Sequence, residues 1–226
     1  MLLRVYTYRL RPGIEPTFEA FIREQAIGDA RRNAGIVSAW FGRRQPGETA
    51  ETSETDDYVA VTCWRDFETV RAAVGGDLDR PIFAPDGHEV AGTAEHYETI
   101  DEPAVGSGVD GTVLRLLRGR ITRGREEEVY ASIRLEGWPL LARLDGIVDA
   151  QIGRQASPDG DVILHVTIWK DLASLEEATG GRLGRPLMPM PPDSFTVESI
   201  RHFDIIESSI LAPSASGAIG ESAPGE

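Results

Sequence analysis

Two tryptophans end two closely similar strand patterns in this sequence. Trp64 follows the apolar run 59–63, Trp169 follows the mostly apolar run 164–168, and each precedes a basic residue and an aspartate. An indole at a strand end could form the wall of a pocket or take part in electron transfer from an aromatic substrate. Alternatively, it caps the strand end and fills the core in both copies. Both interpretations remain open from the sequence.

A histidine interrupts the second of these runs. His165 shares a strand face with Thr167 and Trp169, and the first copy has Ala60 in its place. An imidazole that faces a cavity could act as a base near neutral pH or bind substrate. A hydrogen-bonded core histidine is the alternative. Any chemistry of His165 would belong to one half of the chain only.

Two tyrosines and a further histidine are candidate ligand contacts. Tyr6 and Tyr8 lie on one face of the first strand and could hydrogen-bond a polyphenolic ligand, or they could simply present wet hydroxyls at a sheet face. His96 recurs in the second copy as His202, which favours a pocket-shaping or structural role.

Two arginines precede prolines at matching positions. Arg80 and Arg185 could guard a pocket mouth and pair with an anionic group of a substrate. Alternatively, each holds a nearby carboxylate or the end of a helix.

Composition excludes several classes of function. A formal net charge of −14 argues against nucleic acid, because phosphate binding needs a basic surface. No apolar run approaches the roughly 20 residues of a membrane helix, and the single Cys63 allows no internal disulfide. The absence of a signal peptide pattern then predicts a cytoplasmic protein. Neither a phosphate-binding glycine motif nor zinc-ligand spacing occurs, so no metal or nucleotide cofactor is expected.

The elements that position these residues follow the order strand, helix, strand, strand, helix, strand, which is the ferredoxin-like plan. Alternation, helical spacing and breakers predict strands at 2–10, 36–43, 58–64 and 95–100, and helices at 15–32 and from the N-cap Asp66 to Gly75. Gly35 is expected to close the first helix in a left-handed conformation. Pro139 is expected to kink the corresponding helix of the second copy.

The same order then recurs, so the chain is a tandem duplication. Four matched landmarks are Arg4 with Arg115, Gly42-Arg43 with Gly153-Arg154, Gly75-Gly76 with Gly180-Gly181, and Arg80-Pro81 with Arg185-Pro186. The predicted boundaries are a first repeat at 1–101, a linker at 102–111, a second repeat at 112–207 and a disordered tail at 208–226.

Duplication has a physical reason. A four-stranded sheet with both helices on one face leaves a large apolar face that needs a partner. We therefore expect an α+β fold in which the two ferredoxin-like repeats pack sheet to sheet as a pseudo-dimeric α/β barrel, either as a monomer or as a homodimer of such chains.

The segments 61–66 and 166–171, a strand ending in tryptophan before a charged helix start, resemble the antibiotic biosynthesis monooxygenase family of the dimeric α/β-barrel superfamily. The resemblance covers both repeats. It implies a cofactor-independent monooxygenase that oxidises an aromatic or polyketide-like small molecule with molecular oxygen, and it assigns Trp64 and Trp169 to the pocket. The haem-degrading members of the superfamily need a strand-one asparagine and a helix histidine. This chain has Tyr8 or Gly119 at the first position and no histidine in 66–74 or 171–179, so haem is a minor expectation.

The predicted site combines Trp64, Trp169 and His165 as catalytic groups with Tyr6, Tyr8, Arg80, Arg185 and His96 as substrate contacts. Two other functions remain open: a non-catalytic ligand-binding or stress-associated barrel, and a cofactor-free isomerase or cyclase.

Overall fold

Eight antiparallel strands of one chain close into a barrel, with the helices packed outside. The computed structural model describes residues 1–45, 57–85, 90–100 and 111–210. Within that part of the chain the strands are β1 Leu2–Arg9, β2 Ile36–Arg44, β3 Tyr58–Trp64, β4 Ala91–Thr99, β5 Val113–Ile121, β6 Ile147–Gln155, β7 Val162–Trp169 and β8 Phe195–Ile210. Their order around the barrel is β1-β3-β2-β8-β5-β7-β6-β4. The predicted α+β barrel of two sheets is confirmed.

Each repeat contributes one four-stranded sheet and its helices. The helical segments of the first repeat are α1 Glu15–Phe21, α2 Ile27–Arg32 and α3 Phe67–Val74; those of the second are α4 Glu126–Ser132, α5 Trp138–Leu141 and α6 Leu172–Thr179. Asp66 and Asp171 cap α3 and α6 by accepting a hydrogen bond from the backbone N–H of Thr69 and Ser174.

The long helix of each repeat contains one wider π-helical turn, at Ile22–Ala26 and at Ile133–Gly137. The first copy has this turn without any proline, so the proline expected to distort the second helix is not the cause of the irregularity. Such turns often lie at functional sites.

The C-terminal end of the first long helix corrects another expectation. Asn33 ends α2 in an extended conformation, and Gly35 is not among the glycines with positive φ. Gly35 is instead needed for close packing, because a Cβ there would lie 2.8 Å from the Cβ of Thr69. Its counterpart Gly146 does adopt a left-handed conformation, with φ +84.

Alternation along the strands gives three cores. One lies inside the barrel and contains apolar residues of both sheets, among them Val61, Tyr97, Val166 and Phe203. The other two lie between each sheet and its own helices. β3 is buried at every position, as its sequence, apolar at almost every position, predicts.

The two seams that join the sheets differ in length. β2 pairs with β8 from Ser38 to Arg44, whereas β4 pairs with β6 only through Glu98–Arg154 and Thr99–Gly153. β8 runs to Ile210, so it includes the first three residues of the predicted tail, 208–210. Residue 101 of the first repeat, residues 102–110 of the predicted linker and residues 211–226 of the tail lie outside the described residues.

Gly153 at the short seam is expected to tolerate no side chain. A Cβ there would lie 2.6 Å from the Cβ of Tyr97 and 3.2 Å from a methyl of Leu3. Gly153→Ala should therefore lower the free energy of unfolding by about 1–3 kcal/mol through overpacking, measured by urea denaturation. Gly184→Ala, where a Cβ meets nothing within 4 Å, is the control. Equal losses in both variants would contradict this packing argument.

Candidate functional site

A buried arginine lies beneath the helices of each repeat, at matching positions of β1 and β5. Arg4 donates to the backbone carbonyls of Leu78, at 3.3 Å, and Arg80, at 2.6 Å. Arg115 donates in the same way to the carbonyl of Arg185, at 2.6 Å. These arginines therefore anchor the loop that follows the second helix of each repeat. In the sequence, each of these arginines appears as a charged residue within an otherwise apolar strand, a pattern that indicates a buried, paired arginine.

The predicted anion-binding arginines are positioned by those contacts. Both Arg80 and Arg185 have exposed side chains, and it is their backbone carbonyls that the buried guanidinium groups hold. The anchoring explains why the loop recurs in both repeats. It leaves the two side chains facing solvent.

Both repeated tryptophans are fully buried. The indole N–H of Trp64 donates to the hydroxyl of Thr62 at 2.7 Å, and that of Trp169 donates to the hydroxyl of Thr167 at 2.9 Å. Each indole is 0% exposed and packs in the core between sheet and helices. The two rings are therefore satisfied core residues in this conformation.

Tyr6 and Tyr8 belong to the same core cluster as Trp64. Their ring centroids are 4.7 Å apart, and the Tyr8 ring lies 5.0 Å from that of Phe18. The hydroxyl of Tyr8 is buried and has no hydrogen-bond partner among the described residues. Burial raises the pKa of both phenols, so both are neutral at physiological pH.

His165 packs on the helix side of the second sheet. Its ring is nearly parallel to that of Phe195, with the centroids 6.5 Å apart. Phe195 occupies the space above Gly119, where a Cβ would lie 2.3 Å from the ring. Gly119 is the repeat counterpart of Tyr8. Burial, together with the nearby Arg115, lowers the pKa of His165 to about 3.

The short seam carries an open cleft of ≈ 650 Å³, which we call the seam cleft. Its walls come from both repeats: β1, β4 and the start of α3 in the first, and the end of β6 in the second. It is lined by Met1, Leu2, Arg65, Asp66, Phe67, His96, Glu98, Thr99, Arg154, Gln155 and Ala156. Its size suits a small organic molecule.

The seam cleft has an apolar wall. Met1 and Phe67 are two of the four large hydrophobic side chains that are exposed in the described part of the chain, at 41% and 40%. The Phe67 ring also meets the His96 ring edge to face, with centroids 6.3 Å apart. Exposed aromatic surface next to an imidazole is typical of a site that binds a flat apolar ligand.

His96 is the titratable base of this cleft. Burial and then the Arg4 guanidinium lower the pKa of His96, so the imidazole is neutral at pH 7. Its Nε2 atom is buried and makes no hydrogen bond with any described residue. Arg65 and Arg154 supply positive charge at the cleft, and Asp66 and Glu98 supply negative charge.

Of the predicted site residues, only His96 lines the seam cleft. Trp64 lies directly behind the wall, since it pairs with Leu2 across β1 and β3 and precedes Arg65. Phe67 and Arg154 were missed. The sequence marked Arg154 only as a position that matches Arg43 in the first repeat. It marked Phe67 only as the first residue after the helix cap Asp66.

Solved structures share this fold at low identity. A protein of Lactobacillus acidophilus NCFM, whose monooxygenase activity is assigned by name only, aligns over 92% of this chain and 95% of its own, with a TM-score of 0.62 and 9% identity. An anthrone oxidase-like protein aligns over 92% of both chains, with a TM-score of 0.53 and 13% identity. A mutant chlorite dismutase of Candidatus Nitrospira defluvii aligns over 90% of both chains, with a TM-score of 0.54 and 9% identity.

The likeness establishes the fold. The chain has the dimeric α/β-barrel fold, with both halves of the barrel in one polypeptide. Two of these neighbours are named after a monooxygenase and an anthrone oxidase, and at 9% and 13% identity the likeness concerns the fold alone. No family model matches the sequence, and no curated protein sequence matches it.

A haem site is the alternative to cofactor-free chemistry, and it depends on the described histidines. An axial ligand needs an imidazole nitrogen that faces an open volume. The Nε2 atoms of His165 and His202 are buried, and the two residues are only 6% and 2% exposed, so neither fits an axial haem ligand. Of the described histidines only His96 lines the seam cleft and could approach haem there; no chemical step is derived through haem.

Neither a metal centre nor a membrane-spanning helix occurs among the described residues. No group of three or more His, Cys, Asp or Glu side chains is placed to hold a metal ion. Over the same ranges, no helix has the length and apolar character needed to cross a bilayer.

Proposed function

We propose that this protein is a cofactor-independent monooxygenase that oxidises an electron-rich aromatic small molecule in the seam cleft. The supporting observation is the convergence of an aromatic wall, a neutral imidazole and guanidinium groups in one cleft of ≈ 650 Å³. The monooxygenase-like neighbours of the fold are consistent with this proposal. The substrate class is a polycyclic phenol or ketone with an acidic C–H bond, as in anthrones.

The chemistry needs a base, an anion-stabilising group and oxygen. His96 takes a proton from the activated methylene carbon, and Arg65 stabilises the resulting enolate oxygen. The carbanion donates electrons to O2 and forms a C–O bond, giving a hydroperoxide. Loss of a second C–H proton breaks the O–O bond, so that CH2 and O2 become C=O and H2O. The substrate supplies every electron.

Phe67 would hold the substrate by ring stacking, and the apolar wall with Met1 would keep water from the carbanion. Trp64 remains a proposed electron relay from behind the wall, although its ring does not reach the cleft in this conformation. Trp169, His165, Tyr6 and Tyr8 would take part only through an opening of their cores.

His96→Gln is expected to lower the rate of oxygen uptake with an anthrone roughly 10²- to 10⁴-fold, the usual contribution of a positioned base. His202→Gln is the matched control, because His202 is the repeat counterpart of His96, is buried and does not line the cleft. The parent rate should fall below pH 6.5, since protonated His96 is no base and its pKa is lowered by burial. An oxygen electrode gives both results.

Oxygen uptake that is absent in the parent, or equal in the parent and His96→Gln, would contradict the proposed oxygenase. The second candidate is a non-catalytic ligand-binding barrel. It is favoured by the complete burial of Trp64 and Trp169, since both then serve the core and leave only a binding cleft at the surface.

A further inference from the structure

Arg154, at the end of β6, belongs to two adjoining depressions at the short seam. One is the seam cleft, and the other is a groove of ≈ 310 Å³ lined by Glu98, Thr99, Ile100, Tyr130, Arg134 and Arg154. Arg154 comes from the second repeat, whereas Glu98 and Thr99 come from the first. The site is therefore composite, and its arginine crosses from the opposite half of the barrel.

The guanidinium of Arg154 has contacts on two sides. Its Nη2 and Nε atoms lie 3.0 and 3.3 Å from the same carboxylate oxygen of Glu98. The guanidinium carbon lies 5.9 Å from the centroid of the Tyr130 ring, and the Tyr130 hydroxyl donates to the Asp161 carboxylate. The anchored tyrosine limits where the guanidinium can lie, and the planar guanidinium suits a second, planar acceptor.

Glu98 is a weak partner that a ligand can replace. The side chains of Arg154 and Glu98 are 44% and 69% exposed, and water screens such a pair so that it contributes little stability. A carboxylate attached to an aromatic ring on the apolar wall would meet the same guanidinium in partly desolvated surroundings. Its two oxygens could each accept a hydrogen bond from one N–H donor, whereas a single oxygen of Glu98 lies near both donors.

The equivalent arginine at the long seam has a different ion-pair partner. Arg43 is the repeat counterpart of Arg154, and it pairs with Glu19 at 3.2 Å. There β2 and β8 remain paired from Ser38 to Arg44, and the side chain of Gln45 bonds Asp204 at 2.9 Å. Arg43 does not line the seam cleft or the adjoining groove.

From this geometry we propose that Arg154 determines the ligand specificity of the seam cleft and selects planar aromatic molecules that carry a carboxylate, which displaces Glu98. The inference rests on the proposed function, because it concerns the substrate of the same cleft. It also assigns one such site to each chain, at the seam between β4 and β6.

The test measures binding without turnover. The full-length protein is titrated under anaerobic conditions with 2-naphthoate and with its methyl ester, by isothermal calorimetry. The parent should bind the acid at least tenfold more tightly than the ester, the difference expected for a charge-assisted hydrogen bond. Arg154→Met should weaken the acid at least tenfold and leave the ester within about twofold. Arg154→Lys should give an intermediate loss, because lysine keeps the charge without the planar fork.

Two further variants keep the test decisive if Arg154→Met is unstable. Glu98→Gln should bind the acid a few-fold more tightly, because the competing carboxylate is gone. Arg43→Met should bind it as the parent does. Equal affinity of the parent for acid and ester, an unchanged affinity in Arg154→Met, or an equal loss in Arg43→Met would each overturn the inference. If the naphthoate binds through Arg154 but an anthrone that carries a carboxylate binds without any oxygen uptake, the proposed oxygenase is refuted and this inference stands.

Discussion

Asp149→Asn is expected to stabilise the protein at pH 8 by about 4 kcal/mol. Asp149 is 6% exposed and pairs across β6 and β7 with Ile168, on the barrel-interior face. Burial raises the pKa of its carboxyl group to about 7, against opposing hydrogen bonds from the Ala150 N–H and the Gln151 side chain. The ionised form is therefore disfavoured in the folded state.

The sign follows from proton binding. Asp149 ionises near pH 3.8 in the unfolded chain and near 7 in the fold. Between these values the folded protein binds the extra proton, so stability falls as pH rises, by about 1.4 kcal/mol per pH unit. Above pH 7 the loss is complete.

Urea denaturation of the parent and Asp149→Asn at pH 4 and pH 8 measures this effect. The two proteins should differ little at pH 4 and by about 4 kcal/mol at pH 8. Asp149→Ser installs the residue that the first repeat has at the matching position, Ser38, and should act in the same direction. Asp29→Asn removes an exposed carboxylate paired with Arg32 and should change stability by no more than about 0.5 kcal/mol. A constant difference across pH would show that Asp149 ionises normally in the fold.

Much of the fold was predictable because both halves of the sequence show the same order of strands, helices and glycine breakers. β3 is apolar at almost every position, which predicted a strand buried on both faces, and Asp66 was correctly predicted as a helix cap. Local signals failed where packing decides the backbone. Gly35 was expected at a left-handed turn, but its role is to admit the Cβ of Thr69, a contact between elements far apart in the sequence.

The candidate site was less predictable for a related reason. The cleft exists because one seam is short and the other long, and no property of an isolated repeat encodes how the two sheets meet at their edges. His96 was selected as a site residue, but its neighbour Arg154 belongs to the other repeat. Conversely, Trp64 and Trp169 stand out in the sequence because both cores need an indole at the same place.

His165→Gln is expected to remove an acid-sensitive component of stability. Burial and Arg115 lower the pKa of His165 to about 3, from 6.5 in the unfolded chain. Below pH 6.5 the unfolded chain binds a proton at His165 that the folded protein does not bind. The free energy of unfolding of the parent therefore falls by about 3 kcal/mol between pH 6.5 and pH 4.5 because of this group. The variant should gain that amount relative to the parent between pH 7.5 and pH 4.5, as measured by urea denaturation.

The two buried groups oppose one another in the parent. Between about pH 4 and pH 6.5, Asp149 lowers stability with rising pH and His165 raises it, each by about 1.4 kcal/mol per unit. Their contributions should cancel, and each single variant should expose the slope of the other. Since one side chain faces the barrel interior and the other faces the helices, the double variant Asp149→Asn/His165→Gln should again be nearly flat. If His165→Gln left the parent's profile unchanged, His165 would titrate normally within the fold, and its predicted role as a base near neutral pH would regain its physical basis.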